Sequence, residues 1–600
     1  MTLHSPTIRP LDEVIEAFNA LEKPISNNTA LNDFLDEYFG EPGSELEEVP
    51  NDQLQTNPTF LENVSSDVLR NFTSQVIDIW PDLTRRYVGP PRCESASGGN
   101  ATGCVSSFIP LNRTFVVAGG RFREPYYWDS YWILEGLLRT QGSFTQIGLN
   151  IIENFLDLVD NFGFVPNGAR RYYLNRSQPP VLTQMVLAYV EYTNDTEILE
   201  RALPTLEREY MFWMENRTIP VRGPNNMTYS LSHYAVLNTQ PRPESYREDY
   251  VTATNASYYA ESGIIYPAQD LNDTERAQLY ANLASGAESG WDYTSRWLTN
   301  PSDAAEDKYF PLRSLNTVEI VPVDLNSILY ANEIAIAQFH DMIDDDEEVA
   351  DEWRARAANR SEAMTALMWD EEHFAYFDWN MTSTSRNLYV IDDSDTTMSQ
   401  TDDAPEGYQV LFSPAQYYPF WTGAAPDWLK GNPYAVARTY QRVADQLSLA
   451  PGAIPATNLI TGQQWDEPNV WPPLQYILTK GLLNTPPTFG TDDPWYQQTQ
   501  RLALRLAQRY VTSAFCTWRS TGGSTPQLSQ IPGADAEDVG TIFEKYNQTS
   551  INAAGGGGEY EVVEGFGWSN GVLIWAADVF GQNLTTPNCG NLTAADIADD

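Results

Sequence analysis

The 600-residue sequence predicts an all-α protein whose helices close into a double ring. Three observations lead to this prediction: about a dozen stretches repeat apolar residues every three to four positions, alternating strand patterns are few, and polar and aromatic clusters fall where helices begin or end. A helical solenoid is the competing arrangement, but its repeat of about 30 to 45 residues is not found. A closed ring tolerates unequal loops, because those loops gather at one end and can enlarge into a site.

The predicted elements follow one another in chain order. Residues 1–118 alternate short helical patterns, such as 11–22, with connectors rich in Pro, Asn and Asp, so we expect an N-terminal arm that wraps the barrel. The long amphipathic stretches follow, at 126–140, 146–162, 179–193, 197–216, 276–298, 325–343, 348–369, 433–447, 474–483, 495–518 and 570–580. We therefore expect a helical catalytic barrel over 119–585, with loop insertions, and a C-terminal tail over 586–600.

The charge balance restricts the partners. The chain has 36 Lys+Arg against 81 Asp+Glu, a formal net charge of -45 and a pI near 4.2, so it repels nucleic acid and anionic membrane surfaces. No run of about eighteen apolar residues is present to span a bilayer. We expect no nucleic acid and no membrane partner, and a neutral or cationic ligand instead.

Sequons and cysteines predict export. About sixteen Asn-x-Ser/Thr sequons occur where composition alone would give about five, which is typical of a secreted protein with N-linked glycans. Cys93 and Cys104 flank a short polar loop that a disulfide closes easily, and Cys516 would then pair with Cys589. The first residues lack the pattern of a secretory signal, so the protein either stays inside the cell or is represented here by a mature form, and the sequons favour the second. Four buried thiols in a cytosolic protein are the alternative.

The residues available for chemistry favour carboxylates. Only four histidines occur, none at a metal-ligand spacing, no phosphate loop carries its lysine, and the acidic stretch 392–397 lacks the glycine and closing glutamate of a calcium loop. We therefore expect no metal and no cofactor. Carboxylates, arginines and aromatic rings remain, and they suit glycoside hydrolysis, in which one carboxylic acid protonates the leaving oxygen and a second carboxylate attacks or activates water.

Two carboxylates are the first candidates. Asp292 follows Gly290 at the end of an apolar helical pattern and stands between aromatic residues, which raise the pKa of a carboxyl group and suit a general acid. Glu544 stands between Phe543 and the cationic Lys545, which favours the ionised form that a general base needs. A capping aspartate and a surface glutamate are the purely structural alternatives.

Ordered blocks of sequence then point to a family. The stretches "GGRFREPYYWDSY" (119–131) and "QQWDEPNVWPP" (463–473) resemble the two signatures of the trehalases, glycoside hydrolase family 37, and further blocks such as "ESGWDYTSRW" and "FEKYN" follow in the family's order. The resemblance covers about residues 120 to 580. It implies an (α/α)6 barrel, a toroid of six helical hairpins, and inverting hydrolysis of α,α-trehalose, a small-molecule substrate, to two glucose molecules without a metal.

The same resemblance assigns residues. It implies Asp292 as the catalytic acid and Glu544 as the catalytic base. The substrate-binding residues that it implies are Arg121, Arg176 and Arg242, the wall residues Phe122, Tyr127, Trp128 and Trp465, the hydroxyl-binding residues Asn167, Gln178, Gln464, Glu244 and Glu559, and Gly290. Departures from the family pattern at Ala169, Val470 and Asn547 remove no proposed catalytic group.

Three alternatives remain open from sequence. Asp129 and Arg123 either belong to the site or form an ion pair that fixes a helix start. The whole protein is either a trehalase or another (α/α)6 exo-α-glucosidase, acting for example on maltose. A catalytically inactive carbohydrate-binding protein is the third possibility, against which the presence of both Asp292 and Glu544 argues.

Overall fold

The computed structural model describes residues 4–21, 28–90, 93–95, 99–224, 226–254, 271–299, 311–343, 347–391, 404–535, 537–558 and 562–590, so the acidic stretch 392–397 lies outside the described residues. The α-helices are Leu11–Ala20, Asn28–Tyr38, Asp67–Ile77, Trp80–Leu83, Asp129–Thr140, Ser143–Phe162, Leu182–Thr193, Ile198–Arg217, Tyr246–Thr254, Asp273–Ser289, Val323–Ile343, Glu347–Met368, Tyr418–Trp421, Asp427–Lys430, Pro433–Thr439, Gln441–Leu449, Pro472–Leu483, Pro494–Ser520 and Gly567–Phe580. Short 3-10 helices cover Asn51–Gln53, Thr59–Asn63, Arg171–Tyr173, Pro243–Ser245, Ser295–Trp297, Pro311–Ser314, Thr317–Glu319 and Pro414–Tyr417.

The strands are short and antiparallel. They are Leu46–Glu48, Thr84–Tyr87, Phe115–Val116, Thr218–Arg222, Thr228–Ser232, Ile320–Val321, Trp369–Asp370, Ala375–Tyr376, Trp379–Asn380, Ser385–Arg386, Tyr389–Ile391, Tyr408–Val410, Asn469–Val470 and Tyr546–Asn547. Two of them, Asn469–Val470 and Tyr546–Asn547, pair with each other and join two loops at the mouth of the barrel. The scarcity of strand patterns in the sequence therefore reflects a protein that uses strands only to brace loops.

An inner ring of helices forms the centre of the molecule. Within the described ranges, six helices contact one another in a closed circle, each touching the next and the last touching the first: Asp129–Thr140, Leu182–Thr193, Val323–Ile343, Tyr418–Trp421, Pro472–Leu483 and Gly567–Phe580. All of Asp129–Thr140 except Arg139 is buried, as expected for a helix surrounded by protein.

No helix in the described part of the chain is long and apolar enough to cross a bilayer.

An outer layer packs on this ring. Ser143–Phe162 contacts Asp129–Thr140, and Glu347–Met368 contacts Val323–Ile343, in each case as the second helix of a hairpin. The same holds for Ile198–Arg217 on Leu182–Thr193 and for Pro494–Ser520 on Pro472–Leu483. Asp67–Ile77 also packs on Gly567–Phe580, but it lies far earlier in the chain and does not form a hairpin with it. The predicted all-α fold, an (α/α)6 barrel, is confirmed. The Asp67–Ile77 helix comes from the N-terminal arm, so the arm supplies part of the outer layer.

The structure shortens one predicted helix. The apolar pattern of 276–298 predicts a helix through residue 298, but the helix ends at Ser289 and Gly290 caps it in a left-handed conformation with φ 75°. Any side chain at position 290 would approach the Trp128 indole to 2.7 Å, so only glycine fits there. Asp292 consequently lies on a loop directly beyond the helix. Tyr440 likewise divides the predicted 433–447 helix into two.

The predicted disulfides are both present. Cys93 bonds to Cys104 and Cys516 bonds to Cys589. The first bond closes the polar loop of the arm. The second ties the long outer helix Pro494–Ser520 to the segment that follows the last inner helix, so it secures the chain where the ring closes.

Candidate active site

A pocket opens at the end of the barrel where the inner helices begin. Its residues stand just before or at the start of inner helices, among them Trp128 and Asp129, Gln178, Trp471, and Trp568. The cavity and the open space at its mouth together hold about 860 Å³. Arg121 at the rim is exposed, whereas Trp128 and Asp129 at the base are buried. The end of the barrel at which the loops gather therefore carries a pocket, and it is the candidate binding site.

Most of the predicted site residues meet in this pocket. Those that line it are Arg121, Phe122, Trp128, Asn167, Arg176, Gln178, Arg242, Glu244, Gly290, Asp292, Trp465 and Glu544. They come from loops separated by hundreds of residues. Their roles stay predictions, but their convergence is the arrangement that those roles require.

Asp292 lies on the loop beyond Gly290, in an aromatic environment. Trp291 stacks on Trp465 with ring centroids 5.0 Å apart, and the indole of Trp128 packs against Trp465 at 5.7 Å. Burial raises the pKa of Asp292 to about 6, while the positive charges of Arg242 and Arg176 lower it. A carboxyl group with this pKa remains protonated in mildly acidic solution, as a general acid must.

Glu544 is held in the wall by its backbone. Its N–H donates to the Val563 carbonyl at 2.8 Å, and its own carbonyl accepts from the Trp568 indole N–H at 2.9 Å. The side chain is only 2% exposed. Lys545 is buried beside it; burial lowers the pKa of Lys545 to about 8 and the charge of Glu544 raises it. The lysine is thus cationic below pH 8 and favours an ionised Glu544.

Two of the arginines are fixed before any ligand binds. Arg176 forms an ion pair with Glu244 and covers the ring of Tyr173 at 4.9 Å. Arg242 forms a bidentate ion pair with Asp249, at 3.0 and 2.7 Å. Both guanidinium groups are 2% exposed or less. Such preorganised planar forks suit recognition of hydroxyl pairs.

The amide side chains join the loops to each other. The Gln178 Oε1 accepts from the Trp128 backbone N–H at 3.1 Å. The Asn167 Nδ2 donates to the Ser177 carbonyl at 3.2 Å and to the Ala287 carbonyl at 3.3 Å. Asn167 therefore fixes the loop before Leu182–Thr193 to the helix that precedes Asp292.

Three predicted binding residues are not among the pocket lining. Tyr127 is fully buried behind the wall, where its hydroxyl donates to Glu209 at 2.5 Å and accepts from the Leu182 N–H at 2.8 Å. Its neighbour Trp128 faces the pocket instead, because successive residues at a helix start point in different directions. Gln464 lies behind the lining residues. Its side-chain Nε2 donates to the Asp292 carbonyl, and its Oε1 accepts from the Lys545 ammonium group. Glu559 lies outside the described residues.

The pocket also contains residues that sequence reasoning did not assign. The additional lining residues include His4, Tyr126, Tyr173, Trp471, Phe566 and Trp568. Trp471 stands in the signature stretch 463–473, and Trp568 stands in a further family-like block, "GGGGEYEVVEGFGWSNGV" (555–572), so these blocks contained the signal. His4 has no such signal, because it reaches the pocket only through the fold of the arm, where it lies 3.6 Å from the buried Glu124.

Asp129 belongs to the pocket rather than to an ion pair with Arg123. Among the described residues no ion pair joins the two, and the Arg123 guanidinium donates to the Pro42 carbonyl. Asp129 is 5% exposed, and burial raises its pKa well above the usual value, helped by the negative charges of Glu544 and Asp292. The site thus gathers three carboxyl groups within electrostatic reach of one another.

These features define the chemistry that the pocket supports. Stacked aromatic rings offer apolar faces to a sugar, and buried arginine forks and amides offer hydrogen bonds to its hydroxyls. A carboxyl group with a raised pKa and a second carboxyl group beside a lysine provide an acid and a base in one cavity. Cleavage of a glycosidic bond in a small neutral sugar needs this set of groups.

Comparisons with known proteins agree with this geometry. The family model described as Trehalase matches residues 6–581. A trehalase of Dictyostelium discoideum is 36% identical over 595 residues, which cover 97% of this chain and 87% of that protein. The trehalase of Homo sapiens is 33% identical over 584 residues, which cover 96% of this chain and 85% of the human protein. The solved structure of a neutral trehalase from Saccharomyces cerevisiae aligns with 84% of this chain and 79% of the yeast chain. The TM-score is 0.53 and the sequence identity is 22%, so this similarity supports the fold alone.

Proposed function

The chain belongs to the trehalase family and is a glycosidase that hydrolyses trehalose, and we propose that it does so with inversion, with Asp292 as general acid and Glu544 as general base. The observation that carries the proposal is the convergence of Asp292 and Glu544, from loops far apart in sequence, on one aromatic pocket with three arginines. Asp292 protonates the glycosidic oxygen. Glu544 removes a proton from the water that attacks the anomeric carbon from the opposite face.

The anomers of the first glucose molecules test this mechanism. Water attack inverts one anomeric centre, while the departing glucose keeps its configuration, so each trehalose should release one β-glucose and one α-glucose. Proton NMR during the first minutes, before mutarotation mixes the anomers, measures the ratio. Only α-glucose at the outset means retention, in which case Glu544 cannot be the base of a single displacement. Maltose, assayed in parallel, measures the preference for trehalose over another α-glucoside.

The pH dependence of kcat/KM tests the acid. Because Asp292 must be protonated to donate, and its pKa is about 6, activity should fall as pH rises through about 6 and then decrease about tenfold for each further pH unit. Initial rates from pH 3 to 9 measure this limb, with protein stability checked at each pH. An alkaline limb that begins only above about pH 8 contradicts the assignment of Asp292.

We also propose that the protein is secreted and carries N-linked glycans. Two disulfides are present, which is common in secreted proteins and rare in the cytosol. The sequon residues Asn63, Asn100, Asn216, Asn359 and Asn583 are all exposed, so the glycosylation machinery can reach them. Asn175 is exposed too, but it adjoins Arg176 at the pocket, and we expect it to stay unmodified because a glycan there obstructs entry.

Enzymatic removal of N-glycans from the protein made in a secreting eukaryotic host tests this proposal. The mass should fall by several glycans, and peptide mapping should find deamidated Asn63, Asn100 and Asn359 but unmodified Asn175. Retention of the protein in the cell with no change of mass contradicts both parts. A glycan on Asn175 in an active enzyme contradicts only the argument about pocket access.

A further inference from the structure

Asp466 is a buried carboxylate of the second signature stretch for which the pocket gives no direct role. Its side chain is fully buried and does not line the cavity. It accepts six hydrogen bonds, and their donors come from two loops. The donors are the Thr294 Oγ1 at 2.9 Å, the Ser295 N–H at 3.0 and 2.9 Å, the Ser295 Oγ at 2.8 Å, the Thr457 Oγ1 at 2.8 Å and the Thr461 Oγ1 at 2.5 Å. A buried carboxylate costs much to desolvate, and these donors offset that cost.

The bonds to Thr294 and Ser295 continue a series that joins two loops residue by residue. The Gln464 side chain donates to the Asp292 carbonyl. The Trp465 N–H donates to the Tyr293 carbonyl at 3.2 Å. Asp466 then accepts from the next two residues of the same loop. Residues 292–295 and 464–466 are therefore held side by side. Burial raises the pKa of Asp466 to about 6, while its hydrogen bonds to Thr461, Ser295 and Thr457 lower it.

This connection sets the position of the proposed acid relative to its aromatic wall. Asp292 follows the Gly290 cap and is not part of a helix, so its loop needs support from elsewhere. Trp465, adjacent to Asp466, packs against both Trp291 and Trp128. Small displacements of a catalytic group cost large factors in rate, because proton transfer depends on heavy-atom distance.

We propose that Asp466 is a positioning residue for the general acid: its carboxylate fixes the 292–295 loop against Trp465, so that the Asp292 carboxyl group meets the glycosidic oxygen. The inference rests on the proposed role of Asp292. It assigns to Asp466 no contact with the substrate. Loss of the carboxylate should therefore impair the protonation of the leaving group more than the binding of the sugar.

Two substrates separate these effects. Trehalose hydrolysis needs a proton on the leaving oxygen. In α-glucosyl fluoride the C–F bond breaks and fluoride departs with the electron pair, water forms the new C–O bond, and Glu544 takes the proton, so the acid is dispensable. Asp466→Asn keeps the shape but turns an amide N–H₂ toward the donors. We expect kcat for trehalose to fall by about 100-fold with KM changed less than about threefold, and kcat for α-glucosyl fluoride to fall less than about threefold.

A second variant and a control guard against a trivial loss of stability. Thr461→Val removes the 2.5 Å bond to Asp466 and the acceptor of the Gln463 N–H, and Thr461 does not line the pocket. This variant should show a smaller loss with the same preference for the fluoride. If Asp466→Asn does not fold, the comparison of the two substrates with Thr461→Val tests the positioning role instead. Glu333→Gln disturbs another buried carboxylate, which pairs with Arg360, and should lower the melting temperature while kcat stays unchanged.

The outcomes are distinct. Equal losses on both substrates, or an unchanged kcat for trehalose in a folded Asp466→Asn protein, overturn the positioning role. Asp292→Asn measured alongside serves as the reference, since it should show the strongest preference for the fluoride. If Asp292→Asn lacks that preference, then the proposed function fails instead, because Asp292 is not the acid.

Discussion

Replacement of Asp292 by Asn, or of Glu544 by Gln, should lower kcat for trehalose by about a thousandfold or more, because each amide keeps the shape of the site and loses the proton transfer. Both carboxyl groups line the pocket, and the buried arginines Arg176 and Arg242 are paired with Glu244 and Asp249, which these substitutions leave in place. Trehalose binding should therefore remain measurable. Initial rates with each purified variant measure the loss of kcat, and isothermal titration calorimetry measures the retained trehalose binding.

The control for this pair is a carboxylate far from the site. The side chain of Asp427 is 97% exposed and pairs with Lys430 at the surface, so Asp427→Asn should keep wild-type kcat and KM. If Asp292→Asn or Glu544→Gln keeps more than about a tenth of the wild-type kcat, its assigned role is wrong. A loss of binding together with turnover indicates a structural role instead.

Replacement of Arg176 by Lys should lower kcat/KM by about a hundredfold, nearly as much as replacement by Met. The guanidinium group is 1% exposed, pairs with Glu244 and covers the Tyr173 ring, and a lysine cannot make a forked contact or the same stacking. Steady-state kinetics for both variants measure the loss. Near-normal activity of Arg176→Lys means that a positive charge alone suffices at this position.

The two Arg176 variants differ in their effect on Asp292. The charge of Arg176 lowers the pKa of Asp292, so its removal in Arg176→Met should raise that pKa and move the alkaline limb of activity to higher pH. Arg176→Lys keeps the charge and should keep the limb near its wild-type position. Arg208→Lys, at a surface pair with Asp160, is the matched control and should change neither rate nor pH profile.

The fold and much of the pocket could be predicted from sequence because their signals are local. Apolar periodicity identifies each helix separately. Short stretches of sequence such as 119–131 and 463–473 contain the aromatic and charged residues of the pocket. The predicted disulfides follow from spacing and from the small number of cysteines. Such features need no knowledge of what lies opposite in the folded chain.

Other features could not be predicted, because they depend on contacts between residues that are far apart in sequence and meet only in the folded protein. Tyr127 and Trp128 are adjacent aromatic residues, yet one faces Glu209 behind the wall and the other faces the pocket, and only the packing of two helices decides which. His4 reaches the site through the arm. The partners of Asp466 in the 294–295 segment lie more than a hundred residues earlier, and no periodicity records such a pairing.

The contact between the first and the last inner helices has a consequence for how the molecule is made. Asp129–Thr140 touches Gly567–Phe580, which in turn holds Asp67–Ile77 on its outer side. A nascent chain leaving the ribosome therefore exposes one flank of its earliest inner helix, together with an apolar face of the arm, until Gly567–Phe580 has been synthesised. Contacts so distant in sequence form slowly, and the intermediates that precede them are prone to aggregation. Chaperone demand during synthesis is thus a cost of the circular architecture itself.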